Sequence, residues 1–348
     1  MLAACSETPA QPASPTPPIV TPPAVAAPSL ACPAPVSVTS PSGAPFPVPY
    51  PPATVTGGTA PMTLTCAPPS GSTFQVGSTA VTCTVTDQAG RTATCGFSVT
   101  VTAPPSLTRT RFLAFGDSIT WGEDGRNSST IVAASTLRPR VQLPSADTYP
   151  GALSALLAAR YTAQSPTILN AGKPGEAVTD PATFPRYVSY TSSRAYDVVL
   201  LMEGANDLPA HGFSEIIGGL DQMIRDAQSR GMKVLLATLP PQNPDGSDPL
   251  DRGVEASSVA PFNDQVRALA ASKGIPLVDV YQAFNGQLSL IGSDGLHPTA
   301  AGYHLIADTF FAAIKQNLEA PATPQAARPV QGRGREAGSP APRINHAR

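Results

Sequence analysis

The chain has 348 residues, of which 41% are hydrophobic and only 13% charged, with 41 prolines and a formal net charge of −2. Near-neutral charge, 6% aromatics and no interleaving of basic and aromatic residues give no warrant for nucleic-acid binding. The apolar share is enough for a sizeable core, and so much proline with so little charge points to a folded region flanked by uncharged segments.

Five cysteines are distributed unevenly, and none follows Cys95. The first, Cys5, lies in Leu2-Ala-Ala-Cys5 ahead of Ser6, a pattern that resembles a bacterial lipobox. As written the chain shows no signal peptide and no transmembrane stretch, and Cys5 is expected to carry lipid once an upstream leader is restored. Residues 1–29 then read as a spacer, because Pro9, Pro12, Pro15, Pro17 and Pro18 block helix and sheet and favour extended polyproline conformations.

Residues 30–102 change texture. Thr54-Val-Thr-Gly57, Met62-Thr-Leu-Thr-Cys66, Ala80-Val-Thr-Cys-Thr-Val-Thr86 and Thr94-Cys-Gly-Phe-Ser-Val-Thr-Val101 alternate β-branched or apolar residues with small polar ones. That is the pattern of short antiparallel strands with one solvated face, and Asp87-Gln-Ala-Gly90 reads as a turn between two of them. The expectation is a small β-sandwich with a thin core stapled by disulfides. Cys32, Cys66, Cys83 and Cys95 lack the tight Cys-x2-Cys spacing of a zinc site, which favours disulfides and an oxidising compartment. Three pairings are open, and Cys32–Cys66 with Cys83–Cys95 is favoured because the latter would tie the flanks of the Asp87–Gly90 turn.

Residues 103–110, opening on Ala103-Pro-Pro-Ser106, read as a linker, and residues 111–318 as strands alternating with helices. An apolar strand rises from Arg111 and stops at Gly116-Asp117-Ser118. A helix is expected over Tyr149–Tyr161, a strand over Thr167–Asn170, and a strand apolar on both faces over Tyr196–Met202. Then come helix Phe213–Arg230, strand Lys233–Thr238, helix Glu255–Ser272, strand Ile275–Asp279 and helix Ala300–Leu318. This order gives a three-layer α/β fold of about 210 residues. Residues 319–348, with Arg328, Arg333, Arg335, Arg343 and Arg348 against Glu336, read as a disordered basic tail.

The chemistry concentrates at the expected carboxyl ends of those strands. Ser118, just past the first, is placed to act as a nucleophile on a fixed base. Of the four histidines, His297 lies in Ser293-Asp-Gly-Leu-His-Pro298, a polar turn before the last helix, with Asp294 three residues earlier and Pro298 holding the backbone away from helix. Ser118, His297 and Asp294 form a nucleophile, base and orienting acid. The N–H groups of Ser118 and Gly172 and the Asn206 amide are candidate oxyanion donors. Asp117 and Asp207 are expected to accept backbone N–H bonds as framework residues. Trp121 and His211 are candidate linings of the substrate site.

The blocks Gly116-Asp117-Ser118-Ile119-Thr120, Asn170-Ala-Gly172, Gly204-Ala-Asn-Asp207 and Asp294-x-x-His297, in that order, resemble the SGNH or GDSL hydrolase family across residues 111–317. The resemblance implies a flavodoxin-like fold with a five-stranded parallel sheet and hydrolysis of esters through an acyl-serine intermediate, with no metal and no cofactor. Thr56-Gly-Gly-Thr-Ala-Pro61, Phe74-Gln-Val-Gly77 and Val81-Thr-Cys-Thr-Val-Thr-Asp87 resemble the hyalin repeat, or HYR domain, over residues 30–102. This second resemblance implies an immunoglobulin-like extracellular module for adhesion, spacing or contact with polysaccharide or protein. Together they describe an exported serine esterase, lipid-anchored at the bacterial cell envelope through Cys5 or secreted. The insertions Gly122–Thr148 and Pro240–Val254 are polar and favour an acetylated carbohydrate or other small ester as substrate. The competing readings are a lysophospholipase or thioesterase, and a non-catalytic surface protein that binds glycans.

Overall fold

The computed structural model describes residues 25–125, 140–245 and 252–320. Cys5, most of the spacer, the middle of each insertion and the tail beyond residue 320 lie outside them. The chain divides into two compact units, one formed by residues 1–38 and 45–101 and the other by residues 39–44 and 102–348.

The first unit is β-rich, with strands β1 (Ser29–Ala31), β2 (Val36–Thr39), β3 (Phe46–Pro47), β4 (Thr54–Thr56), β5 (Thr63–Ala67), β6 (Thr73–Phe74), β7 (Gly77–Thr86) and β8 (Thr92–Thr102). The main sheet runs β2-β8-β7-β5, with β1-β4 and β3-β6 as two further pairs. Alternation sets the faces. Val81, Cys83 and Val85 of β7 are buried and join Phe97, Val99 and Val101 of β8, while the threonines between them stay more exposed. The expected turn is present, and Asp87 binds the Arg91 guanidinium through Nε at 2.9 Å and Nη2 at 2.7 Å.

The disulfides correct the favoured pairing. They are Cys32–Cys95 and Cys66–Cys83, not Cys32–Cys66 and Cys83–Cys95. The turn argument found true neighbours, since Cys83 faces Cys95 across the β7–β8 ladder. But β7 is a central strand, and Cys83 equally faces Cys66 across the β5–β7 ladder. With Cys83 paired to Cys66, Cys95 is left for Cys32, which follows β1.

The second unit is the expected three-layer α/β fold. Its parallel sheet has the order β10-β9-β11-β12-β13, from β9 (Arg111–Gly116), β10 (Thr167–Gly172), β11 (Val198–Met202), β12 (Lys233–Ala237) and β13 (Leu277–Val278). Every residue of β11 is buried, as a strand covered on both faces requires. The helices are α1 (Ser118–Trp121), α2 (Tyr149–Arg160), α3 (Thr183–Thr191), α4 (Phe213–Ser229), α5 (Ala256–Lys273), α6 (Val280–Phe284) and α7 (Ala300–Leu318). Helix α2 packs with α7, and α4 with α3 and α5. Strand order reverses at β9, so the loop after β9 sits at the switch point where ligands of open α/β sheets bind.

Helix α3 was not expected from sequence because Pro181 and Pro185 interrupt its pattern. Pro185 falls in the first turn, where no backbone N–H is needed. Both boundaries of the unit also shift. Leu107, placed in the linker by sequence, is buried in the α/β core, and the Thr108 N–H donates to Leu318 O at 2.8 Å. Glu319, placed in the tail, takes two hydrogen bonds from Arg160 and one from the Tyr161 hydroxyl. Among the described residues, no helix is long and apolar enough to cross a membrane.

The two disulfides close loops of different size, with sequence separations of 63 and 17. Loop-closure entropy assigns about 4 kcal/mol to the first and about 3 kcal/mol to the second. Cys32→Ala/Cys95→Ala should therefore destabilise the β unit more than Cys66→Ala/Cys83→Ala in urea unfolding. Peptide mapping without reduction should recover these two links, and a Cys83–Cys95 peptide would contradict the fold.

Candidate active site

Strands β10, β9 and β11 lie side by side, and their carboxyl ends deliver the site. Asp117 ends the first strand's run and caps α1, its Oδ1 accepting the Ile119 N–H at 2.8 Å. This places Ser118 on the first helical turn, with its side chain nearly buried. The sequence anticipated a loop after the strand, and the structure has one helical turn.

The Ser118 hydroxyl lies 2.8 Å from His297 Nε2, and His297 Nδ1 lies 2.6 Å from Asp294 Oδ2. Asp294 folds the turn around itself, its Oδ1 accepting the N–H groups of Leu296 and His297 at 3.0 Å each. Burial pushes the Asp294 carboxyl up, but the hydrogen bond and charge of His297 and the two backbone donors outweigh it and hold the group below the usual carboxylate range. The imidazole is fully buried. The tautomer with a proton on Nδ1 donates to Asp294 and presents Nε2 as an acceptor to the serine. That arrangement can take the serine proton and hold the resulting imidazolium.

The oxyanion donors need a correction. Gly172 is the last residue of β10, and its N–H is taken by Asn170 Oδ1 at 2.9 Å, so it is not available to a substrate. Its glycine has another cause: a Cβ there would stand 2.1 Å from Trp121 N, so only glycine lets α1 lie against the strand end. Three residues on, Gly175 has φ +77° and its N–H has no acceptor among the described residues. The Glu176 carbonyl, one residue on, accepts from Asn206 Nδ2 at 2.8 Å, and the amide has a second hydrogen to donate. The Ser118 N–H likewise has no acceptor among the described residues. Ser118 N, Gly175 N and Asn206 Nδ2 are thus the candidate donors at the three strand ends. The signal for Gly175 was the second glycine of Asn170-Ala-Gly-Lys-Pro-Gly175, which sequence could not rank against the first.

The framework residues behave as expected. Asp207 accepts the N–H groups of Val178 and Thr179 at 2.9 Å each and the Thr179 hydroxyl at 2.8 Å, pinning the loop after β10 to the end of β11. The two candidate lining residues do not join the triad. Trp121 ends α1 half-buried, its carbonyl accepting Gln142 Nε2 and Asn170 Nδ2. His211 pairs with Glu215 at 3.1 Å on the next helical turn. A cavity of about 530 Å³ among Arg109, Arg111, Arg194 and Arg230 opens at the opposite, amino ends of the strands and holds none of these groups.

Sequence reasoning missed two acids. Glu123 is buried with Oε2 3.7 Å from His297 Nε2, and it is paired with Arg140 and Arg252. Glu203, directly after β11, is buried, and neither carboxyl oxygen has a hydrogen-bond partner among the described residues. Burial, followed by the charges of Asp117, Glu176 and Asp207, pushes its carboxyl well above the usual range. Burial likewise pushes Asp117 up to about 7, against the pull of the Ile119 N–H, His297 and the Ala205 N–H. The fold therefore opposes ionisation of Glu203, next to the turn that carries Asn206.

The first of these pKa shifts has a measurable consequence. In the unfolded chain Glu203 ionises above about pH 4.3, whereas the fold resists its ionisation. Wild-type stability must fall as pH rises from there through the raised folded value. Glu203→Gln has no such proton to lose and gives up no hydrogen bond. Its melting temperature should match wild type near pH 4 and exceed it by several degrees at pH 8. A gap that does not grow with pH would show that the folded acid is ionised.

Comparison with known proteins places these features. Residues 114–305 match the GDSL-like lipase/acylhydrolase family, and residues 20–101 match the HYR domain. A multidomain esterase of Ruminococcus flavefaciens is 26% identical over 148 residues, which cover 41% of this chain and 18% of that protein. Among solved structures, a carbohydrate acetylesterase from Sinorhizobium meliloti is 22% identical with a TM-score of 0.48, covering 59% of this chain and 96% of its own. An α/β hydrolase from the metagenome of Lake Arreo, Spain, is 26% identical with a TM-score of 0.45, over 59% of this chain and 94% of its own.

Proposed function

The chain belongs to the GDSL-like lipase/acylhydrolase family, and from that premise we propose that it hydrolyses carboxylic esters through an acyl-serine intermediate. The observation that carries this reading is the continuous hydrogen-bond chain from Ser118 Oγ through His297 to Asp294, at 2.8 and 2.6 Å. Ser118 Oγ attacks the ester carbonyl while His297 Nε2 takes its proton. The tetrahedral oxyanion is received by Ser118 N, Gly175 N and Asn206 Nδ2. His297 returns the proton to the leaving alcohol, and water, activated by the same nitrogen, releases the acid.

The substrate we infer is a small acyl ester of a carbohydrate, acetate above all. Support comes from the polar insertions and from the charged side chains of Glu123, Arg140 and Arg252 at the site, where a long-chain lipid would need apolar walls. The protein is read as working outside the cytoplasm, which its two disulfides favour. The HYR unit is read as a stapled spacer between the catalytic unit and its point of attachment, with Cys5 as the lipid anchor.

Mutation tests the mechanism. Ser118→Ala should stay folded, the lost buried hydrogen bond to His297 costing about 1–3 kcal/mol, yet lower kcat on an acetyl ester by several orders of magnitude. His297→Ala should match it, and the double variant should be scarcely worse than either, because the two groups work as a unit. Asn206→Ala should cost about 10²–10³ in kcat. Folded Ser118→Ala with wild-type turnover would leave the fold without its assigned chemistry.

A further inference from the structure

Glu123 stands where the second product of the reaction must form. When the tetrahedral intermediate collapses, His297 Nε2–H gives its proton to the leaving oxygen, so that oxygen lies within hydrogen-bond reach of Nε2. Glu123 Oε2 lies 3.7 Å from the same nitrogen, close enough for a group carried on the leaving alcohol to reach it.

Glu123 is held through both its main chain and its carboxylate. The Glu123 N–H donates to Ser118 O at 3.0 Å, and Tyr303 Oη donates to Glu123 O at 2.8 Å. Arg140 Nη1 donates to Oε2 at 3.0 Å and Arg252 Nη1 to Oε1 at 2.9 Å. Arg140 also lies over Gly175, where a Cβ would meet its Nη2 at 2.9 Å. One guanidinium therefore spans from the oxyanion loop to the leaving-group side.

The chemistry of this trio is selective. A carboxylate has about four acceptor positions and a guanidinium five donors, so the two pairings leave both kinds of capacity in place. An alkyl or aryl leaving group would cover these charges and offer them nothing, at the cost of desolvation. An alcohol with a hydroxyl on the adjacent carbon can give that hydroxyl to Glu123 and accept from the arginines. Resting on the hydrolytic reading above, we propose that Glu123, Arg140 and Arg252 form an alcohol-side subsite that selects esters of vicinal polyols, with Glu123 accepting the hydroxyl next to the esterified one.

The test compares kcat/KM on a monoacetylated methyl pyranoside bearing a free neighbouring hydroxyl with kcat/KM on propyl acetate. The acyl group is the same, so only the alcohol differs. Glu123→Gln should lower the sugar-to-propyl ratio roughly 10- to 100-fold, the size of one charge-assisted hydrogen bond. Glu123→Asp should recover part of it, and Arg252→Gln, a change at a half-exposed side chain, should lower the ratio in the same direction. A ratio that stays at the wild-type value in both Glu123→Gln and Arg252→Gln overturns the proposal.

Calorimetric binding of the intact sugar acetate to Ser118→Ala and to Ser118→Ala/Glu123→Gln gives a readout that needs no turnover. Binding weakened at least tenfold by the second change supports the subsite, even if wild type proved to have no esterase activity and the hydrolytic reading fell. Equal binding by both, or none by either, overturns it.

Discussion

One buried imidazole ties the end of the catalytic unit to its beginning. His297 holds Asp294 on one nitrogen and Ser118 on the other, across 179 residues of chain. The Ser118 contact survives only while the turn before α7 is held against the turn after β9. Gly125 O does this, accepting the Asp294 N–H at 3.1 Å and the Ser293 hydroxyl at 3.2 Å. Tyr303, fully buried in α7, adds its hydroxyl to the Glu123 carbonyl. Helix α7 in turn lies along α2, where the Tyr149 and Phe310 rings stack 5.1 Å apart. The packing of that outer layer, remote from any reacting atom, is what sets the Ser118–His297 distance, and a distance error there is felt directly in the proton transfer.

Much of this was legible in the sequence because its signals are local. Strands apolar on both faces announce a parallel sheet, and Asp294 and His297 form their turn within four residues. The features that escaped share a different physical character. Cys83 lies in register with two cysteines at once, so the pairing depends on which long-range ladder is asked. Gly172 and Gly175 sit three apart in one loop, and only the Asn170 side chain, by occupying the first N–H, decides between them. Helix α3 hides behind prolines that its first turn tolerates. Glu123 looks like an ordinary loop acid, and its partners stand 17 and 129 residues away. Leu107, four residues before the expected start, and Glu319, one beyond the expected end, are held by contacts that composition does not report.

The acids around Ser118 then fall into an order that the reaction explains. Six carboxyl groups, Asp117, Glu123, Glu176, Glu203, Asp207 and Asp294, surround a site that must hold an oxyanion on one side and an imidazolium on the other. Asp294 and Glu123 flank the two nitrogens of His297, where positive charge develops, and a negative partner helps there. The remaining four lie toward the strand ends that supply the oxyanion donors, where a bare negative charge would oppose the transition state. Each is dealt with. Glu176 is paired with Arg186 and Lys173. Asp207 is spread over three donors from the loop after β10. Burial pushes the Glu203 carboxyl well above the usual range and brings Asp117 up to about 7. The charge that is kept lies on the histidine side, and on the oxyanion side charge is paired, shared or suppressed. On the proposed mechanism, ionised framework acids near those donors would weaken them, and burial works against that ionisation at both Glu203 and Asp117.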